Sequence, residues 1–326
     1  NYKKENYIAK IKNTKMSLEF FKDYVNAKLD GEYLNDKISI KLNKKKINND
    51  LSTNIVLKMP KSSLLAKTSF SNLNDKKSIK EGNFLLKQNH NKITGIFNYK
   101  NGEVIIENSN LRNSYIDGKL DGKIKLTPFF DFNLNLHLNS MYFTRLYNYF
   151  LSLDKEKQKK LFRINNKING KLSLDADKIY SNDNLVKSFE SRLKFYNGNL
   201  KIEQFLINLG KIGAADLSGT LTNDNKYSNL KFESNVFIDN KKKFLRKMNL
   251  YKNNSISPNL FFAGNFDLKK IHVSFYEISE QKILNIEDVN YIENEFNDFI
   301  LEDGFKYLFN FKKFKIFLKS IVEEDK

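Results

Sequence analysis

The side chains that most often bind metals or transfer protons are few in this chain and stand apart from one another. The sequence holds three histidines, His90, His137 and His272, and no cysteine. None of the histidines has a second histidine at the His-x-x-x-His spacing, which places two ligands on one face of a helix. The sequence therefore predicts no metal site, and we expect each histidine at the surface or on the face of a strand.

The acidic and glycine-rich segments also lack the spacing of an active site. The acidic run between Glu287 and Glu295 lies in a segment with helical periodicity, where carboxylates usually form a solvated face. The segment Gly210–Gly213 is shorter than the glycine-rich loops that hold phosphates, and it lies between two predicted strands, so we interpret it as a turn. A Gly-x-Ser-x-Gly motif is absent. We predict that the protein is not an enzyme and has no cofactor.

Lysine makes the chain strongly basic. The formal net charge is +18 and the pI is near 9.5, which would suit an anionic partner such as nucleic acid or phospholipid headgroups. The lysines are spread over most of the chain, with short clusters at Lys44–Lys46 and Lys241–Lys243. AT-rich coding sequence would produce the same bias, and we favour that explanation. Because arginine, the preferred reader of bases and phosphates, is scarce beside lysine, we do not expect nucleic acid as a partner.

The length of 326 residues allows one large domain or two ordinary ones. No window approaches the roughly 20 apolar residues of a transmembrane helix. The chain begins with Asn rather than Met, so we expect it to be a piece of a longer polypeptide whose anchor or export signal lies upstream. The lack of cysteine fits an oxidising compartment, and it fits a cytosolic protein nearly as well.

Apolar and polar residues alternate along most of the chain, which is the pattern of strands with one buried face. The clearest region is Ile168–Leu221, where four alternating runs are separated by turn residues. Asn197-Gly198 separates two of these runs and is the strongest short-range signal for a hairpin. Residues 111–139 repeat this logic, and Phe130–Leu138 alternates over nine residues. These regions predict a β-meander in each half of the chain.

The start of the chain is ambiguous, and three segments have helical periodicity. Leu18, Phe21 and Val25 recur at helical spacing, whereas alternation begins only after the Asp30-Gly31 turn signal. Residues 141–165 carry an apolar stripe after Asn139-Ser140, which could supply the N-cap. The periodicity changes again from Ile286 to Ile300. We expect helices over 141–165 and 286–300, the first of them capping one end of the sheet.

Aromatic and lysine residues interleave in the segment between Phe305 and Val322. An interfacial membrane helix has this pattern, with lysines on one side and phenylalanines on the other. A core-facing helix whose lysines extend to solvent has it as well. The candidate residues for contact with a membrane or a partner are Lys306, Phe309, Lys312, Lys313, Phe314 and Phe317.

These observations predict a mainly β protein built on an elongated, curled antiparallel sheet, with a central helix and a C-terminal helical segment. We divide the chain into an N-terminal β-meander section (1–140), a connecting helix (141–166), a C-terminal β-meander section (167–280) and a C-terminal helical segment (281–326).

The central stretch resembles the AsmA-like family of bacterial envelope proteins. The resemblance rests on the order of short strands and glycines in Gly170–Ala176, Asn197–Ile202 and Gly213–Leu221. It extends over about residues 33–275 and is most specific over 168–238. It implies a periplasmic β-sheet bent into an apolar groove that conducts phospholipids from the inner to the outer membrane. It also implies attachment to the inner membrane through an anchor that is not in this sequence, and further envelope proteins are possible partners.

If the resemblance holds, the apolar strand positions of the C-terminal section would line the groove and contact phospholipid acyl chains. These candidates are Leu172, Leu174, Leu193, Phe195, Leu200, Ile202, Leu217, Leu221, Leu230, Phe232, Phe262, Phe266 and Leu268. The same positions could instead form a closed, dry core under a covering helix. The protein would then be a structural or interaction domain that binds a protein partner or a polyanion.

Overall fold

The protein is described by a computed structural model as a mainly β chain with two compact units, residues 1–135 and 136–326. The sequence places its first boundary near the same point, at residue 140. The structure describes residues 11–33, 35–47, 50–72, 78–89, 91–125, 130–154, 158, 164–223, 228–250, 257–301 and 310–323.

The first unit is a meander in which each strand from β1 to β9 pairs antiparallel with the next. Its described residues contain no helix. The strands are β1 (Lys12–Phe20), β2 (Tyr24–Tyr33), β3 (Asp36–Ile47), β4 (Asp50–Met59), β5 (Leu64–Asn72), β6 (Ser78–Gln88), β7 (Asn91–Lys100), β8 (Glu103–Arg112) and β9 (Ile116–Lys125).

The helical spacing at the start of the chain is misleading. Leu18 lies in β1 and Val25 in β2, where Leu18 pairs with Ala27 and Phe20 with Val25. Asp30-Gly31, read as a turn signal, lies inside β2. The backbone hydrogen bonds between β1 and β2 satisfy both strands. They therefore outweigh the helical spacing of three apolar residues.

The second unit contains the rest of the sheet and the helices; β10 (Asp131–Tyr142) includes the boundary between the units. Its other strands are β11 (Gly170–Ala176), β12 (Ile179–Tyr180), β13 (Ser188–Tyr196), β14 (Asn199–Asn208), β15 (Gly213–Asn223), β16 (Ser228–Ile238), β17 (Asn259–Asp267) and β18 (His272–Ser279). The described helices are α1 (Phe143–Ser152), α2 (Lys241–Met248), α3 (Ile286–Leu301) and α4 (Phe311–Glu323).

The meander predicted for the second unit is confirmed. β11 pairs antiparallel with β13, and each strand from β13 to β18 then pairs antiparallel with the next. The short strand β12 pairs parallel with β10 through Met141 and Ile179. Asn197 and Gly198 both have positive φ, 48° and 82°, as the two central residues of a type I′ hairpin turn require. Gly210–Ile212 is a single 3₁₀ turn, in agreement with the sequence.

The central and C-terminal helices predicted from the sequence are present, but the central one is shorter than predicted. α1 begins at Phe143 and ends at Ser152 instead of extending over 141–165, and Asn139-Ser140, the expected N-cap, lies in β10. α2, which contains the basic cluster Lys241–Lys243, was not among the predicted helices. Asn240 caps it by accepting a hydrogen bond from the Lys243 backbone N–H at 2.9 Å, and Asn249 ends it in the left-handed conformation.

Helix α3 covers the outer side of β18 and satisfies its backbone. The Asn297 side chain accepts a hydrogen bond from Val273 N at 2.8 Å and donates one to Val273 O at 2.7 Å. Glu293 Oε2 accepts a hydrogen bond from Phe275 N at 2.8 Å. An edge strand left open is a template for pairing with another chain. These three bonds occupy that edge with side chains of the same unit.

Replacing Asn297 with Ala should destabilise the second unit by about 1–3 kcal/mol, because a buried backbone N–H and C=O lose their partners. Chemical denaturation monitored by circular dichroism measures the change. Asn294→Ala on the exposed side of the same helix is the control, and we expect it to change stability by about 0.5 kcal/mol or less. Equal stability of the two variants would show that α3 does not protect this edge.

In the first unit, the buried carboxylate of Asp36 organises the turn between β4 and β5. Ser62 donates to Asp36 Oδ2 through its backbone N–H and its hydroxyl, each at 2.8 Å, and Lys61 N donates to Oδ1 at 3.0 Å. Burial opposes ionisation of the carboxyl, but these hydrogen bonds outweigh it and hold the pKa of Asp36 below its usual value.

Because the pKa is lower in the folded state, ionised Asp36 contributes stability above its unfolded pKa of about 3.9, and this contribution is lost as the pH falls through the folded pKa. We therefore expect Asp36→Asn to lower the melting temperature at pH 7 and to approach the wild-type value below about pH 4. Thermal unfolding across this range tests the prediction. Asp131→Asn is the control, because it makes the same change of charge at an exposed position. If Asp36→Asn lowers the melting temperature by the same amount at every pH, the prediction is contradicted.

Candidate functional site

The cross-strand register places twelve of the thirteen groove candidates on one face of the second unit's sheet, in three rows across the strands. The first row contains Leu172, Leu193, Ile202 and Phe232. The second contains Phe195, Leu200, Leu221, Leu230 and Phe266. The third contains Leu174, Leu217 and Phe262. Leu268 follows β17 and packs beside Leu221.

A bulge keeps this face continuous where the sequence changes phase. Ile202 and Phe205 are three residues apart, a spacing that would place them on opposite faces of a regular strand. Leu193 pairs with Ile202, but Arg192 pairs with Gln204, so β14 holds an extra residue between these pairs. The bulge returns Phe205 and Ile207 to the apolar face.

Helices and loops cover both ends of this face. At one end, Phe150 of α1 and Ile164 pack against the buried pair Leu221 and Leu268, which are 5% and 6% exposed. At the other end, α2 and α4 pack on Ile238 in a cluster that includes Phe244 and Phe314. At the first of these ends, five predicted groove positions belong to a packed cluster: Leu200, Leu221, Leu230, Phe266 and Leu268.

A chain of aromatic rings connects the sheet to the C-terminal helices. Phe275 of β18 contacts Phe232 and Phe262 of the apolar face, with ring centroids 6.3 Å apart in both pairs. On its other side it contacts Phe296 of α3 at 5.9 Å, and Phe296 contacts Phe317 of α4 at 5.3 Å. Edge-to-face pairs of this kind stabilise beyond the area that they bury.

The orientation of α4 distinguishes between the two alternatives that the sequence left open for this segment. Phe317 is 8% exposed, and Phe314 packs in the cluster around Ile238. Lys312 is exposed and Lys313 is half-buried. This is the second alternative from the sequence, a core-facing helix with lysines reaching solvent. Two further candidates, Lys306 and Phe309, lie outside the described residues.

Between its covered ends, the apolar face borders a cavity of about 650 Å³. Phe189, Phe205 and Ile207 of the sheet form its floor, and α1 and α4 contribute Leu151 and Phe311 to its walls. Phe189 pairs with Ile207 in the cross-strand row next to that of Phe205 and Leu217, so the floor includes residues of two rows. Of the candidate residues that the structure describes, only Lys312 and Phe314 line the cavity. The floor residues follow the apolar and polar alternation of the sequence. Which cross-strand row borders the cavity, however, depends on where the helices pack.

The first unit also has an apolar face, which the choice of candidates missed. Phe70, Phe97 and Ile106 lie in one cross-strand row. Gly82 pairs with Phe97, and a Cβ on Gly82 would lie 2.5 Å from the Phe97 ring. The glycine therefore leaves space for the ring to lie across the strand. Within the described ranges of this unit, no helix covers the face.

His137 is not isolated, contrary to the sequence-based expectation. Its Nδ1 lies 2.5 Å from Asp175 Oδ2 and its Nε2 lies 3.5 Å from Asp177 Oδ2. The three side chains could in principle surround a cation. However, the two carboxylates contact opposite nitrogens of the ring, and a single ion binds only one of these nitrogens. The imidazole ring therefore lies between the two carboxylates.

The chain matches no family model, no curated protein and no solved structure. The resemblance to AsmA-like proteins therefore stays a prediction, and the function has to be argued from the geometry. In the part of the chain that the structure describes, no helix has the length and apolar character needed to cross a membrane.

The inward orientation of α4 predicts a large difference between two adjacent positions. Phe317→Ala should destabilise the protein by about 3–5 kcal/mol, because it opens a cavity inside the aromatic cluster. Ile316, which is 64% exposed, is the matched control, and Ile316→Ala should cost about 0.5 kcal/mol or less. Denaturant unfolding measures both. A larger loss for Ile316→Ala would mean that the helix presents its other side to the sheet.

Proposed function

We propose that this protein binds phospholipid acyl chains in the bacterial cell envelope and takes part in moving phospholipid between the inner and outer membranes. The role is non-enzymatic and contributes to outer-membrane biogenesis. The observation that carries the proposal is the cavity of about 650 Å³ between the apolar sheet face and helices α1 and α4. Ligand sites in proteins typically have volumes of about 300–1,000 Å³ and mostly apolar walls.

The size of the cavity favours a ligand over a dry core. The cavity is partly open to solvent. Phe189 and Phe205 pack against each other, with ring centroids 5.3 Å apart, but the sides of Phe205 and Leu151 that face the cavity lack packing contacts. A hydrocarbon chain would supply those contacts and gain roughly 0.8 kcal/mol for each buried methylene group.

The first unit supports the same proposal. Its apolar face carries Phe70 and Phe97, which are half-buried, beside the buried Ile106, and the exposed parts of the two rings are the surface that hydrocarbon would contact. The resemblance of residues 168–238 to AsmA-like proteins adds the cellular setting. We infer a periplasmic location and attachment to the inner membrane through an anchor outside this sequence.

The second candidate function is a structural or interaction domain with a dry core. The clusters around Leu221 and Ile238 favour it, because they close both ends of the same apolar face. In that case the cavity is a packing defect and the partner is a protein or a polyanion that binds elsewhere. The two candidates differ in one observable property, which is whether hydrocarbon occupies the cavity.

Native mass spectrometry with lipid extraction, on the chain purified from a bacterium, separates the two candidates. We expect co-purified phospholipid in the wild type. Ile207→Trp fills the cavity from its floor and should reduce bound lipid at least about tenfold, since it occupies space that the acyl chain needs.

Leu206→Trp is the matched control, because Leu206 is the neighbouring residue on the opposite face of β14 and is 36% exposed. Leu206→Trp should therefore bind as much lipid as the wild type. Circular dichroism verifies that both variants are folded. A folded wild type that is free of lipid would contradict the proposal and leave the interaction domain in place.

A further inference from the structure

A second cavity, of about 600 Å³, lies directly beside the apolar one. The two share part of their walls, including Thr144, Ile179 and Ser181. Tyr142 and Arg145 from the start of α1, together with residues around β12, form the rest of the second cavity. The linings of both cavities are mainly apolar, but that of the second holds more charged side chains, and we call it the polar cavity for this reason. An amphiphile could therefore lie with its charged end beside these side chains and its hydrocarbon end in the apolar cavity.

Three cationic side chains and one carboxylate line the polar cavity. The cations are Arg145, Lys178 and Lys187, and the carboxylate is Asp177. His137 Nε2 lies 3.5 Å from Asp177 Oδ2, so part of this negative charge faces the imidazole. The lining therefore carries an excess of positive charge, which attracts an anion into the polar cavity.

Local contacts hold two of the three cationic groups, Arg145 and Lys187, around this space. The Arg145 guanidinium lies 4.6 Å from the centre of the Tyr142 ring, and Tyr142 stacks on Tyr180 at 4.9 Å. Lys187 Nζ donates hydrogen bonds to the backbone and side-chain oxygens of Asn184, at 3.0 and 2.8 Å. The positions of these charges are thereby set before a ligand arrives, which lowers the entropy cost of binding.

The wall shared by the two cavities is also tied together. Asn182 N donates a hydrogen bond to Thr144 Oγ1 at 3.1 Å, which joins the first turn of α1 to the segment after β12. Met141 and Ile179 pair between β10 and β12 on the same wall. The first turn of α1 adds the partial positive charge of a helix N-terminus to the charge of the side chains.

We infer that the two cavities together form the binding site for one anionic amphiphile. Its phosphate or carboxylate head lies in the polar cavity near Arg145, Lys178 and Lys187, and its hydrocarbon chain lies in the apolar cavity. The inference rests on the proposed function, because the same apolar cavity must accept hydrocarbon. It adds the sign of the headgroup's charge and the position of the headgroup, neither of which follows from the apolar cavity alone.

Calorimetric titration with lipids of one acyl chain tests the inference. Oleoyl lysophosphatidate and oleate carry a phosphate and a carboxylate, and oleoyl lysophosphatidylcholine carries the same chain with no net charge. We expect the better of the two anions to bind at least about tenfold more tightly than the zwitterion, since the basic side chains of the polar cavity attract an anionic headgroup. Comparison of oleate with lysophosphatidate identifies which anionic head the polar cavity prefers.

The double variant Lys178→Gln with Lys187→Gln should abolish this preference and leave binding of the zwitterion unchanged. The control is Lys194→Gln with Lys201→Gln. These two lysines are exposed and pair with each other across β13 and β14, and their replacement reduces the net charge by the same amount. The control variant should keep the preference for anionic lipids. If both double variants weaken anion binding equally, net charge is responsible and the headgroup site is wrong.

The remaining outcomes separate this inference from the proposed function. Equal binding of anionic and zwitterionic lipids, blocked by Ile207→Trp, would overturn the headgroup site while supporting the apolar cavity as a lipid site. No binding of any of the three lipids would overturn both. Inorganic phosphate alone should bind far more weakly than lysophosphatidate, because it gains nothing from the apolar cavity; equal affinity would show an anion site unconnected with lipid.

Discussion

The structure of the second unit depends on the register of its antiparallel strands. The pairings from β11 to β18 align apolar residues mainly with apolar residues or glycine, so one face of the sheet is largely apolar. The exceptions are Ser191 and Ser234, whose hydroxyls donate to backbone oxygens of neighbouring strands. The bulge in β14 preserves this alignment where strict alternation fails. A face of this kind must be removed from water, and everything else in the unit follows from how this is achieved.

Two ends of the face are covered by the protein itself, and the region between them is not filled. The aromatic chain through Phe275, Phe296 and Phe317 connects the C-terminal helices to the sheet, and Phe150 of α1 packs at the other end. Because the helices contact the face at these points, a space remains over Phe205 and Ile207. Cationic side chains line the cavity that adjoins that space. A hydrocarbon chain with an anionic head is the ligand whose chemistry fits both.

Much of the fold could be predicted from the sequence, because alternation and turn residues act locally. Asn197-Gly198 and the strands on either side of it are where they were expected. Helix α2 was missed since its lysines resemble a loop, although Asn240 and Asn249 mark its ends. The site was less accessible to prediction. The groove candidates share the correct face, but which row borders the cavity depends on how α1 and α4 dock, and such long-range contacts have no local signature.

The central claim is that hydrocarbon occupies the space over the floor of the apolar face. Photo-crosslinking with a fatty acid that carries a diazirine near its methyl end tests it most directly, with peptides of the wild-type chain mapped by mass spectrometry. We expect cross-links on cavity residues of α1, β14 and α4, such as Leu151, Phe205 and Phe311. Cross-links confined to exposed apolar side chains such as Phe20, Ile283 and Ile286 would contradict the claim.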